Sequence, residues 1–546
     1  MKTSPFYNRG SCYLKILLFA FILSSCTDKK EKTTQHFYEH VVVIVGDDHA
    51  QGVVGAYGNE IIRTPNIDAL ADDGLLFKNA YANSPLCSAS RQSLLTGKYP
   101  HATGVNLLFT PFNDRTNTTI AEHLKQGGFK TAMFGKQHFN TWIWGELYKN
   151  GMPKFGFDTL VDHREYKRWL SSVNMPKIPD SIPLYGKDDK ELPKHKAQLN
   201  PKTLSQPYFD KYAEGTFLAN SATDFIKKNK NGRMFLWVAF HEPHAPFAFP
   251  IEYSNKYNPI DMPLPKGSNE DDAWIPARYK DLTDEEKRGI IASYYTSTEY
   301  MDKNVGMVIN ALKAEGIYDK TLIIYLGDQG YLLNDHKRFE KHTMWEEAIK
   351  APLIIAGKKM SKKGSSRDEL VEFVDIAPLI AEATGLPELE TAQGTSFLQN
   401  LEGNTSDEIQ GEDDYVFAEF LEDNKAMVAT KKWKYIFSTG KRDLGQGYQT
   451  GNGAFGIYHK LYDLQNDPTE TSNLAHKKEN APLVANMQQK MLQHFIKTHP
   501  YAKEVPETLT TVGKLVWFCE PRDVGAEYGG EPLRVFQNKK EPISIK

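Results

Sequence analysis

The chain has 546 residues, 40% of them hydrophobic and 25% charged, with a formal net charge of −3. That is globular composition, long enough for one large domain and a smaller one. It has no long basic block, which argues against a nucleic-acid partner, and its four cysteines are too few for a disulfide framework.

The N-terminus reads as a targeting segment. Lys2 and Arg9 precede "ILLFAFIL" (Ile16 to Leu23), an apolar run too short to span a bilayer. "LSSC" (Leu23 to Cys26) then has the form of a lipobox, in which Cys26 becomes the lipidated first residue. Residues 1–26 are therefore expected to be a lipoprotein signal peptide and residues 27–38 a polar tether. The mature protein would be exported and anchored to a membrane through Cys26, at the periplasm or the cell surface. Cys12 would leave with the signal, so Cys87 and Cys519 remain.

Next comes "VVVIVGDD" (Val41 to Asp48), a continuous β-branched run that suits a strand covered on both faces. "NSPLCSASRQSLLTGKYP" (Asn83 to Pro100) places Cys87 and Arg91 at a helix start. "TIAEHLKQGG" (Thr119 to Gly128) is helical, and "KTAMFGKQH" (Lys130 to His138) is a strand ending in Lys136 and His138. Asp158 to Pro207 has little periodicity and reads as a long loop or lid. "RMFLWVAFHEPH" (Arg233 to His244) ends in His241, Glu242 and His244. A helix over Tyr300 to Gly316 precedes "KTLIIYLGDQG" (Lys320 to Gly330), which ends in Asp328 and Gln329.

Strands alternating with helices predict an α/β domain over residues 39–402, with a mostly parallel sheet covered by helices on both faces. Ligands of such sheets bind beyond the carboxyl ends of the strands. A polar, acidic break (Glu402 to Asp414) separates it from residues 403–546, where short β-like runs and the helical Leu483 to His499 predict a smaller α+β domain of antiparallel strands.

The strand ends carry the chemistry. Asp47, Asp48 and Asp328, gathered on one rim, would repel unless a cation lay between them. With the amide oxygen of Gln329 they form a hard oxygen set suited to Ca²⁺, with Mg²⁺ the alternative, and not to zinc. Arg91, Lys136, His138, His244 and Lys341 would surround the metal and trap a tetrahedral oxyanion such as sulfate or phosphate. The helix near Cys87 adds free N–H groups. His101, His123 and His459 read as structural. Cys87 is a mismatch, since soft sulfur is a poor ligand for a hard cation.

The mismatch disappears if residue 87 is no longer a thiol. "CSASR" (Cys87 to Arg91) resembles the Cys-x-(Pro/Ala)-x-Arg signature of the type I sulfatases. "FGKQH", "PHAPF", "GDQG", "FEKHTMWEEAIKAPLII" and "LYDLQNDPTETSNLA" are similar to family motifs and stand in the family's order, so the resemblance runs from Val41 to Ala475. It implies an alkaline-phosphatase-like fold and oxidation of Cys87 to Cα-formylglycine by a formylglycine-generating or anaerobic sulfatase-maturing enzyme. It implies that Asp47, Asp48, Asp328, Gln329 and residue 87 hold Ca²⁺. Arg91 would fix the formylglycine, Lys136 and Lys341 the sulfate oxygens, His138 would contact the hydrated aldehyde, and His244 would protonate the leaving oxygen. Gln329 and Gln137 stand where many members have Asn and Trp, and "LLNDH" (Leu332 to His336) replaces Leu-Gly-Glu-His.

The expected activity is hydrolysis of sulfate esters on a sulfated polysaccharide, algal or glycosaminoglycan. The alternative is a phosphoester hydrolase or phosphotransferase of the same broad fold. Sugar-reading residues are expected in the Asp158 to Pro207 segment, with His163, Arg164 and Trp169 as candidates, and in the tail from Trp517 to Pro532.

Overall fold

The strand His40–Gly46 (β1) is buried at every position, as its unbroken run of valine and isoleucine requires of a central strand. In the computed structural model it pairs in parallel with β5 (Met234–Ala239) on one side and β6 (Thr321–Gly327) on the other. The structure describes residues 37–114, 116–139, 154–403, 415–439 and 456–522, Met1, and two short strands, Glu527–Tyr528 and Glu531–Pro532. The polar break at 404–414 and Cys26 lie outside them.

The main sheet has eight strands in the order β10-β2-β9-β6-β1-β5-β3-β4. Here β2 is Gly74–Tyr81, β3 Lys130–Gly135, β4 Thr159–Val161, β9 Leu353–Ala356 and β10 Ser365–Glu372. Only β9 runs antiparallel to its neighbours, β2 and β6. The short hairpin of β7 (Leu332–Leu333) and β8 (Phe339–Glu340) stands outside the sheet.

Alternate residues of β1 serve two cores, following the two-residue period of a strand. Val41, Val43 and Val45 pack with Leu94, Leu124 and Ile380, from the helices Cys87–Thr96, Ile120–Gln126 and Ile376–Ala383. Val42 and Ile44 pack on the other face with Ala222 of the helix Glu214–Asn229 and Val305 and Val308 of the helix Asp284–Ala314. Each such side chain contributes roughly 1.5–3 kcal/mol by leaving water, so the sheet is anchored from both sides.

A second sheet is a four-stranded antiparallel meander, β11 (Val416–Phe420), β12 (Lys425–Ala429), β13 (Trp433–Ser438) and β14 (Tyr458–Asp463). One face takes Met487, Met491 and Phe495 of the helix Ala481–Thr498 onto Phe417, Val428 and Tyr435. The other face, through Val416, Ala418 and Met427, packs on Leu86 and Ala89 at the start of the helix Cys87–Thr96. Buried His101 adds a tie between the sheets, its Nδ1 2.9 Å from Glu419 of β11.

The Asp158 to Pro207 segment corrects the sequence reading. It is not a loop throughout: β4 closes one edge of the main sheet on β3, and His163–Ser172 is a helix with a capping box between Asp162 and Glu165.

Candidate active site

β6, β1, β5 and β3 are consecutive in the sheet, so their carboxyl ends form one rim. Asp47 and Asp48 follow the last residue of β1, Lys136 that of β3, and Asp328 and Gln329 that of β6. His241 lies two residues past the end of β5. The Asp48 backbone N–H donates to Asp328 Oδ1 at 2.9 Å, which locks two of these ends together.

Gly135 sets the position of Lys136. Its φ is +101°, and a Cβ there would fall 1.9 Å from the carbonyl oxygen of Ala239. That carbonyl accepts the Lys136 N–H at 2.9 Å. We predict that Gly135→Ala lowers stability by about 2–4 kcal/mol and weakens substrate binding. Thermal denaturation measures the first effect, and an unshifted Tm would remove the steric argument.

The helix Cys87–Thr96 starts at Cys87 and is buried along its whole length. Residues 87, 90 and 91 share a face by the i, i+3, i+4 rule. Ser90 Oγ donates to the Asp328 carbonyl. Arg91 Nε donates to Asp328 Oδ2 at 2.7 Å, its Nη2 lies 3.5 Å from Asp47 Oδ1, and its Nη1 donates to the Lys136 carbonyl at 2.9 Å. Gln92 Nε2 donates to the His138 carbonyl at 3.1 Å. The β7–β8 hairpin delivers Lys341, whose Nζ contacts Asp48 Oδ1 and stands 3.4 Å from Cys87 Sγ. Lys136 Nζ contacts Asp47 Oδ2. His244 Nε2 is 3.7 Å from Asp48 Oδ2, while its Nδ1 donates to the Ala245 carbonyl at 2.6 Å. His138 has φ +59° and a buried Nδ1 without a hydrogen-bond partner among the described residues. All the catalytic and metal-ligating candidates thus come together at one rim.

Three carboxylates face three fixed cations here, so the charges nearly cancel. Burial would raise Asp47, but Lys136, His244, Arg91 and Lys341 hold it well below the usual carboxylate range. Burial pushes Asp328 up to about 7; Arg91 opposes this, and Asp47 and Asp48 add to it. A carboxyl placed so needs a further positive charge to stay ionised. Gln329 Oε1 and Asp47 Oδ1 are buried and accept no hydrogen bond among the described residues. Ligand atoms of Asp47, Asp48 and His244, and of Asp47, Cys87 and Asp328, lie within 4.8 Å of one another. These oxygen donors fit a hard divalent cation. Burial also raises the Cys87 thiol, against Lys136 and Lys341. Burial, with Lys136 and Arg91, keeps His138 well below the ordinary imidazole range.

The sugar-reading candidates divide. His163 begins the helix His163–Ser172, and its Nδ1 is 2.8 Å from Glu214 Oε2. Glu214 Oε1 in turn is 3.3 Å from His241 Nδ1, so His163 is linked to the rim. Arg164 pairs with Asp162 at 2.8 Å. Trp169 is half-buried, its ring 4.9 Å from that of Phe217, and packing accounts for it. In the tail, Trp517 lies under the Arg522 guanidinium at 3.6 Å, and the side chains beyond Arg522 are outside the described residues. His336 is bonded to Asp271 at 2.9 Å and stacked on Trp345, apart from the rim. Cys87 and Cys519 are both free thiols. No described helix is long and apolar enough to cross a membrane.

Sequence reasoning assigned no role to Glu214, Ser90 or Gln92. Ser90 and Gln92 flank Arg91 on a helix already singled out, which was a usable signal. Glu214 had none, because its partners come from elements 51 and 27 residues away.

A family model described as "Sulfatase" matches residues 39–386, and one described as "N-sulphoglucosamine sulphohydrolase, C-terminal" matches residues 334–497. The chain is 27% identical over 476 residues to an arylsulfatase of Clostridium perfringens, with 81% of this chain and 91% of that protein covered. It is 25% identical over 544 residues to an N-acetylglucosamine-6-O-sulfatase of Bacteroides thetaiotaomicron, with 90% and 91% covered. In fold it is similar to a phosphonate monoester hydrolase of Agrobacterium radiobacter, with a TM-score of 0.68, 22% identity, and 86% of this chain and 98% of that chain covered. The fold is the alkaline-phosphatase-like α/β sandwich that the family resemblance implied.

Proposed function

The chain belongs to the sulfatase family, and from that premise we propose that it hydrolyses sulfate esters of a sulfated polysaccharide or oligosaccharide, with Cys87 oxidised to formylglycine beside a bound Ca²⁺. The observation that carries this reading is the setting of Cys87. A buried thiol raised above its usual range is a weak nucleophile, yet it heads a helix whose Arg91 is fixed on Asp328 and Asp47. An oxidised residue 87 resolves that conflict. As an aldehyde hydrate it offers one hydroxyl to accept the sulfuryl group and keeps a second to expel sulfate. A maturation enzyme of the cell would install it.

Asp47, Asp48, Asp328 and Gln329, with the modified residue 87, would hold Ca²⁺ or Mg²⁺, and the ion would supply charge that polarises its oxygen ligands. The remaining roles fall to side chains of this chain. Lys136 and Lys341 neutralise sulfate oxygens, and Arg91 fixes residue 87 and the anion together. His138, kept neutral, is suited to take a proton from residue 87. A carbonyl can only accept, so His244 Nδ1 carries the hydrogen given to Ala245. His244 Nε2 is then the atom that would carry a second proton for the departing sugar oxygen, a charge that burial opposes and Asp48 and Asp47 favour. The name of the Bacteroides relative, an N-acetylglucosamine-6-O-sulfatase, supports a carbohydrate substrate. The lipobox at Cys26 supports an exported, membrane-anchored enzyme.

Enzyme co-expressed with a maturation enzyme is expected to cleave 4-nitrophenyl sulfate faster than 4-nitrophenyl phosphate, and to release sulfate from at least one sulfated oligosaccharide in a defined panel. A preference for the phosphate ester would favour the phosphoester hydrolase instead.

A further inference from the structure

We infer that His163 and His241, joined through Glu214, form a subsite for a second anionic group of the saccharide, beside the sulfate that reacts. The inference rests on the carbohydrate reading above and adds what the sugar must carry.

The geometry begins with β5, which lies between β1 and β3 in the sheet. The turn that follows it starts at His241 and reaches His244, whose N–H donates to the His241 carbonyl at 2.9 Å. The next residue, Glu242, accepts the Asp47 N–H through its own carbonyl at 3.0 Å. His241 therefore sits on the wall of the sulfate pocket, between the strand ends that carry Asp47 and Lys136. Its Nδ1 is buried toward Glu214, while its side chain is 38% exposed. The open edge of the ring is therefore the side away from Nδ1, which includes Nε2. His163 is built the same way: Nδ1 is on Glu214 and the side chain is 52% exposed. The two rings stand 6.2 Å apart, edge to face, so they are immediate neighbours on this wall.

One carboxylate serves two imidazoles, and this gives the pair its chemistry. Burial would raise Glu214, but its hydrogen bond to His163 and its 3.3 Å contact with His241 bring it down to about 2, so it is a full carboxylate. Burial opposes the charge on His241, and Glu214 outweighs it. The His241 ring, held charged by Glu214, turns its outward N–H edge toward the pocket, and His163 stands beside it on the same carboxylate. Arg164 is taken by Asp162. An oxyanion is the acceptor that suits a charged imidazole edge here, and on a sulfated saccharide it is a uronate carboxylate or a second sulfate.

The test uses matured enzyme and two substrate pairs: a sulfated uronate-containing disaccharide against its carboxyl-reduced form, and a disulfated hexosamine against the monosulfated one. The wild type is expected to favour at least one acid-bearing member by about tenfold in kcat/KM, the worth of one charge-assisted hydrogen bond. His163→Gln and His241→Gln should bring that ratio toward one, mainly through KM; mere disruption would slow all four substrates alike. His163 is half-exposed, so its variant carries little folding risk. Loss in the first pair alone assigns a carboxylate, and loss in the second alone assigns a sulfate. A ratio near one in the wild type, or one kept by both variants, overturns the subsite. Enzyme that cleaves the aryl sulfate but no saccharide overturns the carbohydrate reading itself.

Discussion

Cys87→Ser is expected to abolish catalytic turnover, by at least about a thousandfold, while the protein folds as before. The side chain is 3% exposed and sits among polar and charged groups, so exchanging sulfur for oxygen creates no cavity. The serine hydroxyl can still be aimed at sulfur by the same helix and steadied by Lys341 and Arg91. It can accept the sulfuryl group once, but with a single oxygen on its Cβ it has no second hydroxyl to drive sulfate out. The variant should therefore trap a sulfated protein, heavier by one sulfuryl group in the intact mass spectrum, with a Tm close to that of the wild type. Normal multiple turnover by the serine variant would falsify the formylglycine mechanism.

Asp328→Ala is expected to lose both the metal and the activity. Its carboxylate holds three things at once: Arg91 Nε at 2.7 Å, the Asp48 N–H at 2.9 Å, and one corner of the oxygen set. Removing it leaves buried Arg91 with the 3.5 Å contact to Asp47 as its one remaining carboxylate among the described residues, beside the bond to the Lys136 carbonyl. Uncompensated buried charge of this kind costs about 3–5 kcal/mol, so the alanine variant should also melt earlier. Asp328→Asn separates the two effects, since the amide keeps the shape and an acceptor oxygen but drops the charge. Added Ca²⁺ should raise the Tm of the wild type by mass action and leave that of the asparagine variant unmoved. A variant that stays fully active after chelation would remove the cation from the mechanism.

The sequence is most readable where physical demands are strongest. β1, β5 and β6 must be covered on both faces, so they appear as unbroken apolar runs, and a polar pair closing such a run marks the rim. That places Asp47, Asp48, Asp328, Lys136 and His244 before any coordinates are known. Lys341 follows from its motif, although the hairpin that aims it does not. The direction of β9 is invisible, because "LIIA" is equally apolar run either way. The helix His163–Ser172 is easily passed over for another reason: Tyr166, Trp169 and Leu170 stand at helical spacing, but the segment is short, mostly polar, and only Tyr166 is fully buried. Its capping box was nevertheless present in the letters "DHRE", Asp162 to Glu165. Glu214 is unreadable in principle, since nothing local distinguishes it from any acidic residue in the first turn of a helix.

The burial of the Cys87 helix has a consequence for biosynthesis. From Cys87 to Arg91 every residue is enclosed, with Leu86 and Ala89 pressed under the second sheet. No separate catalyst can grip this pentapeptide once the chain has closed around it. The oxidation proposed for Cys87 would therefore have to take place while the polypeptide is still open. On that proposal a copy that closes first would stay inert however long it later met a modifying enzyme, and the active fraction of a preparation would record a race between closure and modification.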